Sequence, residues 1–176
     1  YILTERKQHM SYETKNIRNI ALLGHGNNGK TSLAESMLYV TGAIDRLGKV
    51  SDGNTVCDYD AEEIARQITI ATSIAPVSYD GCKINVLDCP GFFDFVGDAL
   101  CALRAVEAGM IVTSAKDTGE SIPVGAQRCW NYLKAASLPV MFTISKCNEE
   151  HGDYFKALET LKGKYGSIVC PVTIPP

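Results

Sequence analysis

One segment, residues 24–31 (GHGNNGKT), carries residue types suited to binding phosphate, since it fits the pattern G-x-x-x-x-G-K-[ST]. Its glycines let the backbone turn tightly and point N–H groups at phosphate oxygens. The Lys30 ammonium offers a positive charge to phosphate, and the Thr31 hydroxyl can ligate Mg²⁺. An apolar run precedes the segment and a helical pattern follows it. That context favours a phosphate-binding loop (P-loop) over a simple glycine-rich turn.

A second polar segment, residues 88–91 (DCPG), follows another apolar run. An acidic residue at the end of a neighbouring strand holds Mg²⁺, directly or through water, in P-loop enzymes. Asp88 is therefore a predicted metal ligand, and the Gly91 N–H is predicted to sense a γ-phosphate. On its own such a segment is more often only a turn.

The stretch between these motifs, residues 41–79, is long, polar and rich in acidic residues. Asp60 and Glu63 have the spacing of a capping box that starts a short helix. A polar loop near a phosphate site can be a switch that orders around γ-phosphate and Mg²⁺, or it can be an ordinary solvated loop. Both interpretations stay open.

Short apolar runs alternate with helical patterns along the chain, which predicts an α/β fold with a parallel sheet. Ligands bind beyond the carboxyl ends of strands in such sheets. Strands are predicted at residues 20–23, 83–87, 110–113, 140–144 and 169–174. Helices are predicted at residues 33–38, 98–108, 124–136 and 154–165.

Composition limits the possible classes of protein. The 176 residues, net charge −3 and 45% hydrophobic content indicate one domain with a core, and neither disorder nor a generally basic nucleic-acid-binding surface. No apolar run is long enough to span a membrane. Seven cysteines without a C-x-x-C pair suggest free thiols in a cytoplasmic protein. Residues 1–15 are expected to be an extension, with Met10 a candidate natural start, and residues 16–176 the domain.

Several longer segments then carry a family resemblance. The chain resembles the GTP-binding domain of elongation factor G and elongation-factor-G-like translation factors over about residues 16–172. The matching segments include 19–26 (NIALLGHG), 33–39 (LAESMLY), 53–56 (GNTV), 67–73 (QITIATS) and 85–95 (NVLDCPGFFDF).

The resemblance implies a three-layer α/β/α P-loop NTPase with a mostly parallel sheet, which binds GTP or GDP with Mg²⁺ and acts on the ribosome as a monomer. It implies no sequence-specific nucleic-acid contact and no membrane. By position, Thr31, Thr69 and Asp88 would ligate the metal, while Lys30, Thr69 and Gly91 would act in hydrolysis. The implied nucleotide-binding residues are Gly26, Asn27, Asn28, Gly29, Lys30, Thr31, Ser32, Ser145, Lys146 and Asn148.

Three departures from the family pattern bear on activity. Phe92 stands where the family has a histidine that positions the attacking water, and a phenylalanine cannot orient water, so intrinsic hydrolysis should be slow. Asn148 replaces the aspartate that accepts from guanine, which predicts weaker guanine selectivity and a gain toward xanthosine triphosphate. Ser145 replaces an asparagine that braces the P-loop and the base. Residues 149–150 are interpreted as a solvated loop.

Three functions compete on this evidence. The first is a GTPase module of an elongation-factor-G-like factor, and the second is a nucleotide-binding switch with little hydrolysis. The third, a P-loop kinase or ATPase, is disfavoured by the switch-like segments and by residues 88–91. In the family a last strand, a base-contacting loop with a serine-alanine pair and a closing helix follow, and no serine-alanine pair after residue 145 matches that loop. The domain is therefore expected to be incomplete at its carboxyl end.

Overall fold

The fold is built on one sheet within residues 12–116 and 122–175, the ranges that the computed structural model describes. Its strands are β1 (Ile17–Leu23), β2 (Ser73–Tyr79), β3 (Cys82–Asp88), β4 (Ala108–Ser114) and β5 (Val140–Ser145). The spatial order is β2-β3-β1-β4-β5, with β2 antiparallel to β3 and the other neighbours parallel. The predicted α/β fold with a mostly parallel sheet is confirmed.

Helices cover both faces of this sheet. They are α1 (Lys30–Val40), α2 (Ala61–Arg66), α3 (Val96–Ala102), α4 (Val124–Ala135) and α5 (Tyr154–Tyr165). Ala21 of β1 joins the core cluster that holds α3, α4 and α5 residues, whereas Leu22 joins the cluster that holds α1 residues. Because successive strand residues point to opposite faces, the two-sided burial explains why β1 reads as a continuous apolar run.

Strand β2 lies within the stretch that was predicted to be a long polar loop, so that prediction was wrong for residues 73–79. Buried and exposed side chains alternate along Ser73–Tyr79, as expected for a strand at the edge of a sheet. Pro76 lacks an N–H and is tolerated there because β2 pairs on one side only. Asp80 and Gly81, with φ of 47° and 72°, form the two-residue turn to β3. That Asp-Gly turn was the available signal for a hairpin.

Two other element predictions were wrong. Helix α3 ends at Ala102, not at residue 108, because the apolar residues Leu103 and Val106 reach the core from a non-helical connection. Residues 169–174 form no strand; Pro171 has no N–H to donate to a ladder, and Val172 is 86% exposed. The suggested start at Met10 lies outside the described residues.

Helix α2 confirms the predicted capping box. The Asp60 side chain accepts from the Glu62 N–H at 2.8 Å, and Glu63 accepts from the Asp60 N–H at 3.2 Å. The seven cysteines are free thiols, as predicted. Within the described ranges, no helix has the length and apolar character needed to cross a membrane.

Candidate functional site

Residues 24–31, hereafter the phosphate loop, connect β1 to α1 at the carboxyl ends of the parallel strands. Gly24 has a φ of 139°, and a Cβ at this position would overlap the Val112 carbonyl oxygen of the neighbouring strand. Gly29 has a φ of 84° and precedes the first residue of α1. Both positions need glycine, because other residues rarely adopt this backbone conformation. Because α1 begins directly after Gly29, the positive end of the helix lies at the end of the loop, where it favours an anion.

Lys30 is the cation of this loop and is only 5% exposed. Its Nζ donates to the His25 carbonyl oxygen at 3.0 Å, which holds the ammonium within the loop. Burial lowers the pKa of Lys30, and the negative charge of Asp88 opposes that shift. A buried ammonium with one carbonyl partner retains donors for an anionic ligand.

Four oxygen-bearing side chains meet beside Lys30. The Thr69 hydroxyl donates to Asp58 Oδ1 at 2.8 Å and lies 3.1 Å from the Thr31 hydroxyl. Both carboxylate oxygens of Asp88, and Oδ2 of Asp58, are buried and have no hydrogen-bond partner among the residues that the structure describes. Burial raises the pKa of Asp88 to about 6 and also raises the pKa of Asp58.

These oxygens fit a hard divalent cation. Mg²⁺ prefers hydroxyl, carboxylate and phosphate oxygens, and a buried carboxylate without a partner needs a compensating positive charge. The predicted ligands Thr31, Thr69 and Asp88 lie together in the structure. Asp58 joins them and was missed as a site residue, because one carboxylate in an acidic stretch gives no specific signal in the sequence.

A cavity of about 390 Å³ opens over the phosphate loop. Its wall includes most of the predicted phosphate and catalytic residues, namely Gly26, Asn27, Gly29, Lys30, Thr31, Ser32, Thr69 and Gly91. Asn28 is buried beneath the loop, where its side-chain amide donates to the Val112 carbonyl oxygen at 3.3 Å. The cavity wall also contains Val50, Asp58, Gln67, Ile68, Phe92, Lys146 and Glu149.

Gly91 and Phe92 close one side of the cavity. A Cβ on Gly91 would overlap Lys30 Nζ and lie 2.7 Å from the Gly26 amide nitrogen. The backbone at position 91 therefore passes directly against the phosphate loop. A Cβ on Gly26 would lie 2.6 Å from the Phe92 ring, so that ring packs against the glycine. The aromatic ring at position 92 presents no polar group to the cavity.

Two buried glutamates hold the long connection between α1 and β2. Glu35 of α1 accepts from the backbone N–H groups of Gly48 and Val56. Glu63 of α2 accepts from Ile70 and Ala71 N–H at 2.9 and 3.1 Å. The connection is thus tied to α1 and α2 by hydrogen bonds, and these bonds bring Thr69 to the cavity. Neither set of hydrogen bonds was predicted, because the sequence does not distinguish a buried glutamate from an exposed one.

The turn at the end of β5, residues 145–149, also contributes to the cavity wall and is called the β5 turn below. The Ser145 hydroxyl lies 2.8 Å from the Asn28 carbonyl oxygen and 3.0 Å from that of Thr113, where it can donate to one at a time. Ser145 therefore contacts the phosphate loop from behind. Lys146 lies on the cavity wall, whereas Asn148 is exposed and lies outside the lining.

Comparison with known proteins agrees with this geometry. Residues 15–169 match the family described as the elongation factor Tu GTP binding domain. The chain is 33% identical, over 90% of its length, to an elongation factor G-like protein of Mycobacterium tuberculosis. It is 34% identical, over 92% of its length, to the mitochondrial ribosome-releasing factor 2 of Anopheles gambiae. It covers 22% and 21% of these two relatives, so the chain spans about a fifth of their length.

Solved structures show the same architecture. A Thermus thermophilus protein superposes with a TM-score of 0.80 at 39% identity, covering 85% of this chain and 22% of the other. The Methanococcus maripaludis translation elongation factor SelB, solved with a GTP analogue, gives a TM-score of 0.61 at 18% identity. It covers 89% of this chain and 26% of SelB, and at that identity it supports the fold alone. Because the family match spans residues 15–169 and the cavity is built on the phosphate loop of that domain, the chain belongs to the elongation factor Tu GTP binding domain family.

Proposed function

We propose that this domain binds GTP with Mg²⁺ and hydrolyses it slowly, as the GTP-binding part of an elongation-factor-G-like factor that acts on the ribosome in the cytoplasm. One observation carries the proposal. Buried Lys30 lies with the Thr31 and Thr69 hydroxyls at one wall of the cavity, and the fully buried carboxylate of Asp88 lies behind that wall, near enough to interact with the Lys30 charge. Among the described residues, neither Asp88 oxygen has a hydrogen-bond partner. A buried cation beside unsatisfied oxygens fits a magnesium-bound triphosphate better than a structural ion pair.

Each residue has a defined part in this function. The phosphate loop amides and Lys30 bind the β- and γ-phosphates, and Thr31, Thr69 and Asp88 would hold Mg²⁺. Bound Mg²⁺ would neutralise charge on the phosphate oxygens. Gly91 lies against Lys30 and the Gly26 amide, so its N–H is close enough to the loop to respond to a γ-phosphate. Asp58 orients the Thr69 hydroxyl through their 2.8 Å hydrogen bond.

Slow hydrolysis follows from Phe92. Its ring packs on Gly26 at the edge of the cavity and offers neither donor nor acceptor to an attacking water. The bound phosphates would still be aligned and their charge stabilised, and these two effects supply most of the catalysis in phosphoryl transfer. A partner surface, which we propose to be the ribosome, would have to complete the site.

The apolar Phe92 ring also favours a second candidate function, a nucleotide-dependent switch that hydrolyses almost no nucleotide. Single-turnover hydrolysis of GTP, measured with and without ribosomes, separates the two. Phosphate release that ribosomes accelerate supports the GTPase. Tight nucleotide binding with no release under either condition supports the switch. Lys30→Ala serves as the control in both cases, because it removes the cation that binds phosphate.

A further inference from the structure

The β5 turn places Glu149, not Asn148, on the cavity wall. The Glu149 N–H donates to the Lys146 carbonyl oxygen at 3.2 Å, and Lys146 has a φ of 59°. This tight turn brings residues 146 and 149 to the same side. Asn148 is exposed between them and does not line the cavity. An acceptor side chain is thus present on this wall, one residue after the predicted position.

The Glu149 carboxylate has a defined orientation. Its Oε2 lies 2.7 Å from Lys116 Nζ, and its Oε1 lies 3.9 Å from Lys146 Nζ. The chain just after β4 is also tied to the β5 side by the backbone, since the Ala115 N–H donates to the Ser145 carbonyl oxygen at 2.8 Å. Two lysines therefore hold the carboxylate beside the Lys146 stem. A carboxylate has about four acceptor positions, so acceptors remain for a ligand.

We propose that Glu149 determines base selectivity by accepting hydrogen bonds from the N1 and N2 donors of guanine. This inference rests on the proposed nucleotide function and specifies which residue reads the base. The proposed function assigns the part of the cavity at Lys30 and Thr31 to the phosphates. We place the base beside Lys146 and Glu149, which line the same cavity and take no part in phosphate or metal binding in that proposal. A carboxylate accepts at both oxygens, so it matches the two adjacent donors of guanine. It repels the N1 acceptor of adenine and the C2 carbonyl of xanthine.

A surface ion pair is the competing explanation for Glu149. The Lys116 and Glu149 side chains are 42% and 43% exposed, and ion pairs at such sites contribute little to stability. Loss of a purely structural pair would weaken all nucleotides equally. Loss of a base-reading acceptor would instead change the ratio between nucleotides that differ only in the base. Selectivity, and not affinity alone, is therefore the informative measurement.

The test is equilibrium binding of the magnesium complexes of GTP, inosine triphosphate and xanthosine triphosphate to the intact chain. We expect the unmodified protein to prefer GTP to each of the other two by about tenfold. Glu149→Gln should lower GTP affinity about tenfold and raise affinity for xanthosine triphosphate, since an amide can donate to the C2 carbonyl. Glu150→Gln is the matched control, because its exposed side chain pairs only with His151, at 3.7 Å, among the described residues.

The variant Asn148→Asp tests whether Asn148, and not Glu149, contacts the base. We expect it to change the GTP to xanthosine triphosphate ratio less than Glu149→Gln does. A larger change than that, or a preference of the unmodified protein for xanthosine triphosphate, would overturn the assignment to Glu149. An equal loss for the three nucleotides in Glu149→Gln would overturn it too.

Failure of the wider proposal gives a different pattern. If Lys30→Ala abolishes binding while Glu149→Gln leaves the base ratio unchanged, only the role of Glu149 is wrong. If the unmodified protein binds none of the triphosphates, or if Lys30→Ala binds them as tightly as the unmodified protein does, both the proposed function and the role of Glu149 are wrong.

Discussion

The phosphate loop and the β5 turn face the same cavity but are built in different ways. In the phosphate loop Asn28, Lys30 and Thr31 are buried, and the loop is held by positive-φ glycines and backbone contacts. In the β5 turn Asn148 and Glu149 are exposed, and the Glu149 side chain is held by ion pairs with Lys116 and Lys146. A site built from backbone needs particular residue types at fixed positions. A site built from exposed side chains can move a function by one residue and keep its chemistry.

Removal of the buried Lys30 cation is expected to have the largest effect on nucleotide affinity. Lys30→Ala should weaken magnesium-GTP binding by at least about 100-fold, because it removes the charge and donors that bind phosphate. Isothermal titration calorimetry measures this change directly. Lys164→Ala is a suitable control, since Lys164 is exposed on α5 away from the cavity. A loss below about tenfold would contradict the assignment of the phosphate loop.

Asp88→Asn tests whether the buried carboxylate is kept for a ligand at a cost in stability. Burial raises the pKa of Asp88 from 3.8 to about 6, so the folded state binds a proton more tightly than the unfolded state. The ionised carboxylate therefore destabilises the fold above pH 6, and this effect disappears as the pH falls toward 4. At pH 8 and without nucleotide, Asp88→Asn should raise the free energy of unfolding by up to about 3 kcal/mol.

Urea unfolding at pH 8 and at pH 4.5 measures that difference. The gain from Asp88→Asn should shrink at the lower pH, where the native carboxyl is already protonated in most molecules. Asp94→Asn, which changes an exposed carboxylate, should have little effect at either pH. If Asp88→Asn destabilises the nucleotide-free protein at pH 8, the carboxylate stabilises the fold and our interpretation of its burial is wrong.

Phe92→His tests the departure whose aromatic ring packs against Gly26 of the phosphate loop. A histidine can orient an attacking water, so single-turnover GTP hydrolysis should rise by about tenfold or more, while GTP affinity stays nearly constant. Phe93→His is the matched control. The Phe93 ring lies 4.1 Å below the Arg128 guanidinium and is not part of the cavity wall. Equal rates for Phe92→His and the unmodified protein would show that another feature limits hydrolysis.

The smallest effect is expected where the two regions touch. Ser145→Ala removes the hydroxyl that lies 2.8 Å from the Asn28 carbonyl oxygen and so loosens the loop from behind. We expect a loss of about 1 kcal/mol in stability and a few-fold loss in affinity, similar for different bases. Thermal unfolding and titration with GTP and inosine triphosphate measure both quantities. A selective loss of GTP would instead place Ser145 in base reading.

The predictions that succeeded from sequence depend on local chemistry. The phosphate loop was recognisable because its glycines and Lys30 must stand at fixed spacing between a strand and a helix. The capping box of Asp60 and Glu63 was recognisable for the same reason, since helix caps involve residues three apart. Strand β2 could also have been predicted from its Asp-Gly turn, but the acidic stretch before it favoured the prediction of a loop.

Long-range packing decided the remainder. Sequence spacing alone could not bring Asp58 to Thr69. Buried Glu35 and Glu63 bind backbone N–H groups of the residues that flank this pair and so tie them to α1 and α2. Sequence spacing also could not show that Glu149 lines the cavity and Asn148 does not, since that depends on a turn with a positive φ at Lys146 and on Lys116 from the chain after β4. The sequence alone thus determined the fold class and the phosphate-loop motif between β1 and α1, which depend on residue type and local spacing. Tertiary structure decided which carboxylates face the nucleotide cavity, because that depends on contacts between segments far apart in the chain.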